Sequence, residues 1–347
     1  MKTPRRILIS PLDWGLGHAS RIIPLINRYI EQGDNVIIAG SGLSLNLLKK
    51  QFPTLKNIEI PSFKMKYSAG KSQVWAVAKA FPRLIYYSIR EHSALKRIVK
   101  EENIDFIISD NRFGLYHKTV PSAYITHQLM IKLPRPWGFL EPFVASVHRC
   151  IINKFTECWV PDFKEVELSL AGELSHPDKK PHNVKYIGAL SRFKKLGVRS
   201  EELGISVQTS GEPSLLEFSR VQPEITSGAS NLVLAILSGA EPQRTIFEKE
   251  LLASLQSKPH ENIILVQGKI EAEQKITQVG KVTVYNFMNT EELEKNILKA
   301  DEIICRSGYS SIMDLYALGK LQNATLIPTP GQTEQEYLAE YISNHIK

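Results

Sequence analysis

Cysteine is scarce in this chain, with only Cys150, Cys158 and Cys305 among 347 residues. Three thiols without a pairing logic exclude a disulfide scaffold and suit a reducing compartment. Long apolar runs are missing as well. No stretch approaches the roughly 18 consecutive apolar residues that a membrane-crossing helix needs. The basic start, Met1 to Arg6, is followed only by Ile7 to Leu12. That stretch is too short for a signal-peptide core and reads as a first strand, so a cytoplasmic protein is expected. Low-complexity tracts and short repeats are absent, as are acidic pairs at metal-ligand spacing beside the glycine loops. A metal-independent protein without a resident cofactor is therefore expected.

What is present is an ordinary globular composition, 43% apolar and 23% charged, in a chain long enough for two domains. The net charge of +7 conceals an asymmetry. Residues 1–200 hold 31 Lys and Arg against 16 Asp and Glu, whereas residues 201–347 hold 12 against 20. A basic half joined to an acidic half suggests that the first meets an anionic partner such as a lipid headgroup or a phosphorylated acceptor. No nucleic-acid motif accompanies the charge, so nucleic acid is not expected.

Short β-branched runs alternate with helical stretches. Strands are expected at 5–11, 34–40, 57–61, 105–110, 121–126, 158–162 and 184–188. Helices fit at 19–32, 43–51, 72–100 and 141–156. After a polar stretch at 191–230, strands return at 231–237, 262–267, 282–287, 302–305 and 323–328. Helices fit again at 242–257, 290–300, 309–318 and 334–346. This alternation predicts an α/β protein of two tandem Rossmann-like, doubly wound domains facing a central cleft. The expected division is a first Rossmann-like domain over 1–190, a linker with a first helix over 191–230, and a second Rossmann-like domain over 231–347. Ligands of open α/β sheets bind beyond the carboxyl ends of the strands.

The loops at those ends carry the candidate chemistry. After the first strand come Asp13, Gly15, Gly17 and His18, where glycines allow a tight turn and a helix start offers bare N–H groups to an anion. His18 at that helix start is a candidate general base, with Asp13 as the other. The second half opens with Ser238 and Gly239, followed by Arg244. A later strand runs into Arg306, Ser307 and Gly308, with Asp314 two turns into the next helix, placed to bridge ribose hydroxyls. Thr333 and Glu336 have capping-box spacing, which leaves Gln335 for sugar hydroxyls. One shared crevice should therefore contain both Gly17 and Gly308.

These motifs resemble GT-B glycosyltransferases of family 28, the family of the UDP-N-acetylglucosamine transferase of peptidoglycan lipid-precursor synthesis. Gly15-Leu16-Gly17-His18 resembles that family's acceptor-side loop, whose His is a proposed base. Ser238 to Arg244 is similar to its donor loop, with Glu241 and Pro242 as departures. Arg306-Ser307-Gly308 matches its Arg-Ser-Gly turn, and Asp314 stands where the family has a ribose-binding Glu. Gln335-Glu336 stands where a Gln-Gln pair reads the donor sugar. Arg192 stands at an inter-domain Arg near the diphosphate. His127 resembles a cleft His, and Asp110, at the end of the strand 105–110, joins the acceptor-side set. The resemblance implies a nucleotide-sugar donor, with uridine as its base.

The expected reaction is inverting transfer to an acceptor hydroxyl, with Arg192 or Arg244 and helix ends steadying the leaving diphosphate. A lipid-linked or cell-envelope acceptor is suggested by the mixture of apolar and basic residues at 129–158, including Lys132, Arg135, Trp137, Phe139, Phe143, Arg149, Phe155 and Trp159. Segment 64–90 adds Lys64, Lys66, Lys71, Trp75, Lys79, Phe81, Arg83, Tyr86 and Tyr87. These suit an anionic membrane surface. A hydrolase or epimerase of nucleotide sugars remains open, as does a non-catalytic nucleotide-sugar binder. Whether the last helix returns to the first domain is not decided by the sequence.

Overall fold

The first apolar run forms β1 (Arg6–Pro11), buried on both faces as a central parallel strand should be. In the computed structural model, residues 3–63, 74–134, 136–193, 231–260, 262–269 and 271–345 are described. From β1 the chain continues through α1 (Leu16–Glu31), β2 (Asn35–Gly40), α2 (Gly42–Gln51), β3 (Lys56–Glu59), α3 (Val74–Glu102), β4 (Phe106–Asp110) and β5 (Ser122–Ile125). A short 3-10 turn, Trp137–Leu140, then leads into α4 (Glu141–Ile152), β6 (Glu157–Val160) and β7 (Val184–Tyr186). The strand order is β3-β2-β1-β4-β5-β6-β7, parallel throughout. The order reverses between β1 and β4, which makes their carboxyl ends the switch point where ligands bind.

The second sheet contains β8 (Leu232–Ile236), β9 (Asn262–Val266), β10 (Ile276–Val279), β11 (Val282–Tyr285), β12 (Glu302–Arg306) and β13 (Ala324–Ile327). Its helices are α5 (Gln243–Gln256), α6 (Thr290–Lys299), α7 (Tyr309–Ala317) and α8 (Thr333–His345). The order β10-β11-β9-β8-β12-β13 places this switch point between β8 and β12. The α/β expectation of two doubly wound units is therefore met. The expected linker and helix over 191–230 lie, beyond Phe193, outside the described residues.

One strand was not expected. β10 pairs antiparallel with β11 at the sheet edge, through a turn whose Gly280 has φ +58°. Its residues are all exposed, so no apolar periodicity betrays it.

The halves share one core. A continuous apolar cluster runs from Ile22 and Ile26 of α1, through Leu190 and Phe193, to Ile312 and Leu338 of α7 and α8. The last helix does return to the first half. Tyr337 Oη accepts from Glu173 N at 2.8 Å, and Tyr341 Oη donates to the Ser169 carbonyl at 3.1 Å. Gly172 makes this approach possible, because a Cβ there would lie 2.5 Å from Tyr337 Oη.

Candidate functional site

Gly15 ends the β1 loop at φ +145°, a backbone state that favours glycine, and caps α1. The helix therefore starts at Leu16, three residues earlier than expected, and His18 lies in its first turn. Arg21 follows one turn later on the same face, toward the end of β4. There the Asp110 carboxylate is fully buried and meets both side chains. His18 Nδ1 lies 3.1 Å from Asp110 Oδ2. Arg21 grips the carboxylate with two donors, Nε at 2.9 Å from Oδ2 and Nη2 on Oδ1. Burial pushes the Asp110 carboxyl up, but Arg21 and His18 outweigh it and hold it below its ordinary value. Asp110 is thus an ionised anchor for the His18 ring.

The other candidate base is placed elsewhere. Asp13 Oδ1 accepts from Ser44 N at 3.0 Å in the first turn of α2. Its carboxylate caps that helix and holds the β1 loop to the end of β2.

Across the junction, the first turn of α1 meets the first turn of α7. Ser310 Oγ donates to the Gly17 carbonyl at 3.0 Å, and a Cβ on Gly17 would fall 2.8 Å from Ser310 Oγ. The two Gly-bearing turns therefore share one junction, and at this point the facing edges touch rather than leave a gap. Both helices present their N-terminal turns here. Two positive dipole ends side by side create a place that favours an anion. Room for one lies beside Gly308 and Gly239, where an added Cβ would meet no atom of the described residues within 4 Å. Ser307 is fully buried and donates to the Gln335 carbonyl at 2.7 Å, tying the turn to α8. Ser238 and Gly239 follow β8 at the same carboxyl edge of the sheet, and Gly239 has φ +97°.

Several expected donor ligands are occupied by the protein itself. Arg306 is the last residue of β12 rather than part of the turn. Strand alternation sends it under the sheet, where Nη1 donates to the Pro328 carbonyl at 2.6 Å and the guanidinium lies 3.7 Å from the Phe247 ring centroid. Arg244 is held by Glu241, by Glu248 at 3.6 Å and by the Gln267 carbonyl at 3.1 Å. Glu241 also accepts from Thr245 N at 3.2 Å, so a carboxylate covers the start of α5. Asp314 is buried, and Ser191 Oγ donates to it at 2.7 Å while Arg192 Nε lies 3.4 Å away. Burial raises its carboxyl, only partly offset by Arg192 and Ser191. Asp314 and Arg192 thus tether the 190–193 segment to α7 instead of presenting a free ribose ligand.

The capping box also fails. Thr333 Oγ1 donates to the Lys132 carbonyl of the other half, while Glu336 accepts from Gly331 N at 3.0 Å. Gln335 is not left free, since its Oε1 accepts from Thr329 N and its Nε2 donates to Gln332. Both polar ends of this side chain shape the 329–332 loop.

His127 sits at the lobe junction. It stacks on Tyr309 with centroids 4.0 Å apart, and Nε2 lies 2.8 Å from Glu334 Oε1 of α8. Burial lowers its proton affinity more than Glu334 restores it. For Glu334 burial acts upward, and His127 with the nearby His18 and Arg21 outweighs it. A neutral imidazole therefore donates to an ionised carboxylate, and among the described residues its buried Nδ1 has no partner. Arg21 and Glu334 had no assigned role in the sequence reading. For Arg21 the one available signal was its place a single turn after His18; for Glu334 it was adjacency to Gln335.

From the β1 loop that leads to His18, Trp14, Phe63, Tyr87 and Tyr86 form a chain of edge and tilted ring contacts. It leads to exposed Ile85 and Ile89 on α3. Phe139, in the 3-10 turn, and Phe143, in the first turn of α4, are 73% and 69% exposed, with Trp137 beside Phe139. Other residues of that expected surface are core: Leu129, Phe155 and Trp159 are buried. Lys64, Lys66 and Lys71 lie outside the described residues, as do Arg135 and the side chains of Trp75, Lys79 and Phe81. No helix among the described residues is long and apolar enough to cross a membrane.

Two open sheets with apposed switch points define the GT-B fold, and comparison with solved structures agrees. The calicheamicin glycosyltransferase CalG4 aligns with TM-score 0.57 and 11% identity, covering 99% of this chain and 84% of that one. Arabidopsis thaliana UGT89C1, complexed with UDP-L-rhamnose, aligns at 0.53 with 13% identity over 99% and 83%. A putative UDP-N-acetylglucosamine 2-epimerase from Listeria monocytogenes aligns at 0.50 with 12% identity over 99% and 88%. At such identities the likeness concerns the fold. More specifically, residues 226–347 match the glycosyltransferase family 28 C-terminal domain. No curated protein matches the chain. The C-terminal match and the fold together support a glycosyltransferase.

Proposed function

We propose that this protein transfers a sugar from a nucleotide sugar, with UDP as the carrier, to an acceptor hydroxyl with inversion and without a metal. The observation that carries this reading is the junction of α1 and α7, where two helix N-termini meet beside the His18–Asp110 pair. His18 Nε2 takes the acceptor proton, while Nδ1–H stays on Asp110. The acceptor oxygen bonds to the anomeric carbon as the bond to the diphosphate breaks. The leaving diphosphate sits against the N–H groups of the Gly308 turn, with Gly239 flanking it. Preorganised dipoles can stabilise that charge without a cation.

The acceptor side is aromatic and the first half is basic. These features favour an acceptor carrying an apolar portion, lipid-linked or cell-envelope in kind, approached along α3 and α4 at an anionic membrane surface. Peptidoglycan-precursor chemistry is one candidate within that class.

The test is a thermal-shift screen of nucleotides and nucleotide sugars, followed by mass spectrometry of acceptor mixtures with the ligand that stabilises most. A ligand that binds only the folded chain raises its melting temperature. No shift with any nucleotide sugar would overturn the reading. The likeness to an epimerase structure keeps a second reading, in which product forms from the donor alone. Turnover that does not depend on acceptor would select it. Binding of liposomes containing anionic lipid at low salt tests the membrane part separately.

A further inference from the structure

We propose that Arg21 is a positioning residue that opposes protonation of His18 by cancelling the charge of Asp110. The inference rests on the reading of His18 as the base. A buried carboxylate alone beside an imidazole would favour the charged ring, which has no lone pair left for a substrate proton. Here the carboxylate is not alone. Arg21 is 3% exposed and binds Asp110 through both Nε and Nη2. The same Nη2 lies 2.9 Å from His18 Nδ1. Guanidinium is always charged and only donates. A second positive charge on the ring would therefore form in direct contact with the first.

The geometry also makes Nδ1 a contested atom. Either it carries a proton and donates to Asp110 Oδ2, leaving Nε2 bare, or it is bare and accepts from Arg21. Only the first arrangement is a base at Nε2. The bidentate grip keeps Oδ2 within 3.1 Å of Nδ1, so the first arrangement has its acceptor in place. Among the described residues, the other groups that act on this cluster are Tyr124 of β5, His127 just after β5, Glu334 on α8 and Tyr309 on α7. The nearest partner of Glu334 is His127, at 2.8 Å. Arg21 remains the cation in contact with the ring.

The test compares wild type with Arg21→Gln, Arg21→Lys and the double variant Arg21→Gln/Asp110→Asn. Two readouts are taken. One is the pH profile of kcat/KM. The other is the NMR titration of His18 in histidine-labelled protein, assigned with His18→Gln. In Arg21→Gln the His18 titration and the acidic limb of the profile both move at least one pH unit upward, and rate lost at neutral pH returns at alkaline pH. Arg21→Lys, which keeps the charge without the fork, moves both by less. The double variant, lacking both charges, returns toward wild type. If Arg21→Gln does not fold, Arg21→Lys and the double variant carry the comparison. Equal rate loss at every pH with an unmoved His18 titration would overturn the inference. The titration is read without transfer, so a shifted titration in a protein that transfers no sugar would remove the base reading and leave the electrostatic one standing.

Discussion

The two halves build their shared junction in opposite ways. The first contributes side chains, since His18, Arg21 and Asp110 interlock around a fully buried carboxylate. The second contributes backbone, because Gly239 and Gly308 stand beside open space. Its charged side chains near the turns are consumed internally: Arg306 by Pro328 and Phe247, Arg244 by Glu241, and Asp314 by Ser191. Proton transfer needs a specific titratable group at one point. A diphosphate is met adequately by bare amides at helix ends, which need no particular side chain. On the proposed reading as a sugar transferase, the division of labour follows from the chemistry of the two substrates.

The largest expected effect breaks the side-chain half. His18→Ala should lower kcat by roughly 10²–10⁴, the range for general base catalysis, with UDP affinity little changed. Asp13→Asn should leave the rate within a few-fold and cost on the order of 1 kcal/mol of stability as a weakened helix cap. Steady-state kinetics and chemical denaturation of both variants check this. Retained transfer in His18→Ala together with an inactive Asp13→Asn would reverse the assignment.

A smaller effect sharpens the backbone half. Gly308 has φ −73°, so a side chain there causes no backbone strain and simply fills the open space. Gly308→Val should weaken UDP binding at least tenfold, a ratio worth about 1.4 kcal/mol, while leaving the melting temperature nearly unchanged. Arg306→Met should do the reverse. It leaves UDP affinity within about threefold and lowers stability by about 2 kcal/mol, through a lost charged hydrogen bond and cation–π contact. Calorimetric titration with UDP and urea unfolding separate the two. Loss of UDP binding in Arg306→Met would show that the guanidinium reaches the donor after all.

That contrast also explains what the sequence could disclose. Strands such as Ile7–Ile9 and Leu232–Ala235 are continuous apolar runs, because a parallel sheet buries both faces, and they were legible. So were the glycine turns, where the chain changes from strand to helix. β10 was invisible because an exposed edge strand needs no apolar pattern. The roles of single cations were the hardest to read. One residue of strand register decides whether Arg306 faces a ligand or Phe247, and sequence boundaries are not that sharp. Glu334 and His127 are 207 positions apart, and only the return of α8 brings them within 2.8 Å. Arg21 could have been noticed, since it shares a helix face with His18.

A last effect, confined to acid pH and leaving transfer at neutral pH untouched, concerns how the first half responds to acid. Its buried imidazoles include His148, which burial lowers from 6.5 to about 4. It packs against Phe113 and Tyr124, and among the described residues its Nδ1 has no partner. A depressed folded-state value means that the unfolded chain takes up the proton first. Stability is therefore intact above pH 6.5, falls as the pH drops toward 4, and levels off below. The whole difference is of the order of 3 kcal/mol. Replacing the ring by a similar apolar volume, His148→Leu, removes that proton uptake. Urea unfolding at pH 7, 5.5 and 4 should show the wild type losing more stability than the variant over this window, by about 3 kcal/mol. Parallel pH dependences would mean that water or local opening already solvates His148 in the native state, and that acid sensitivity lies instead with His127 and the lobe junction.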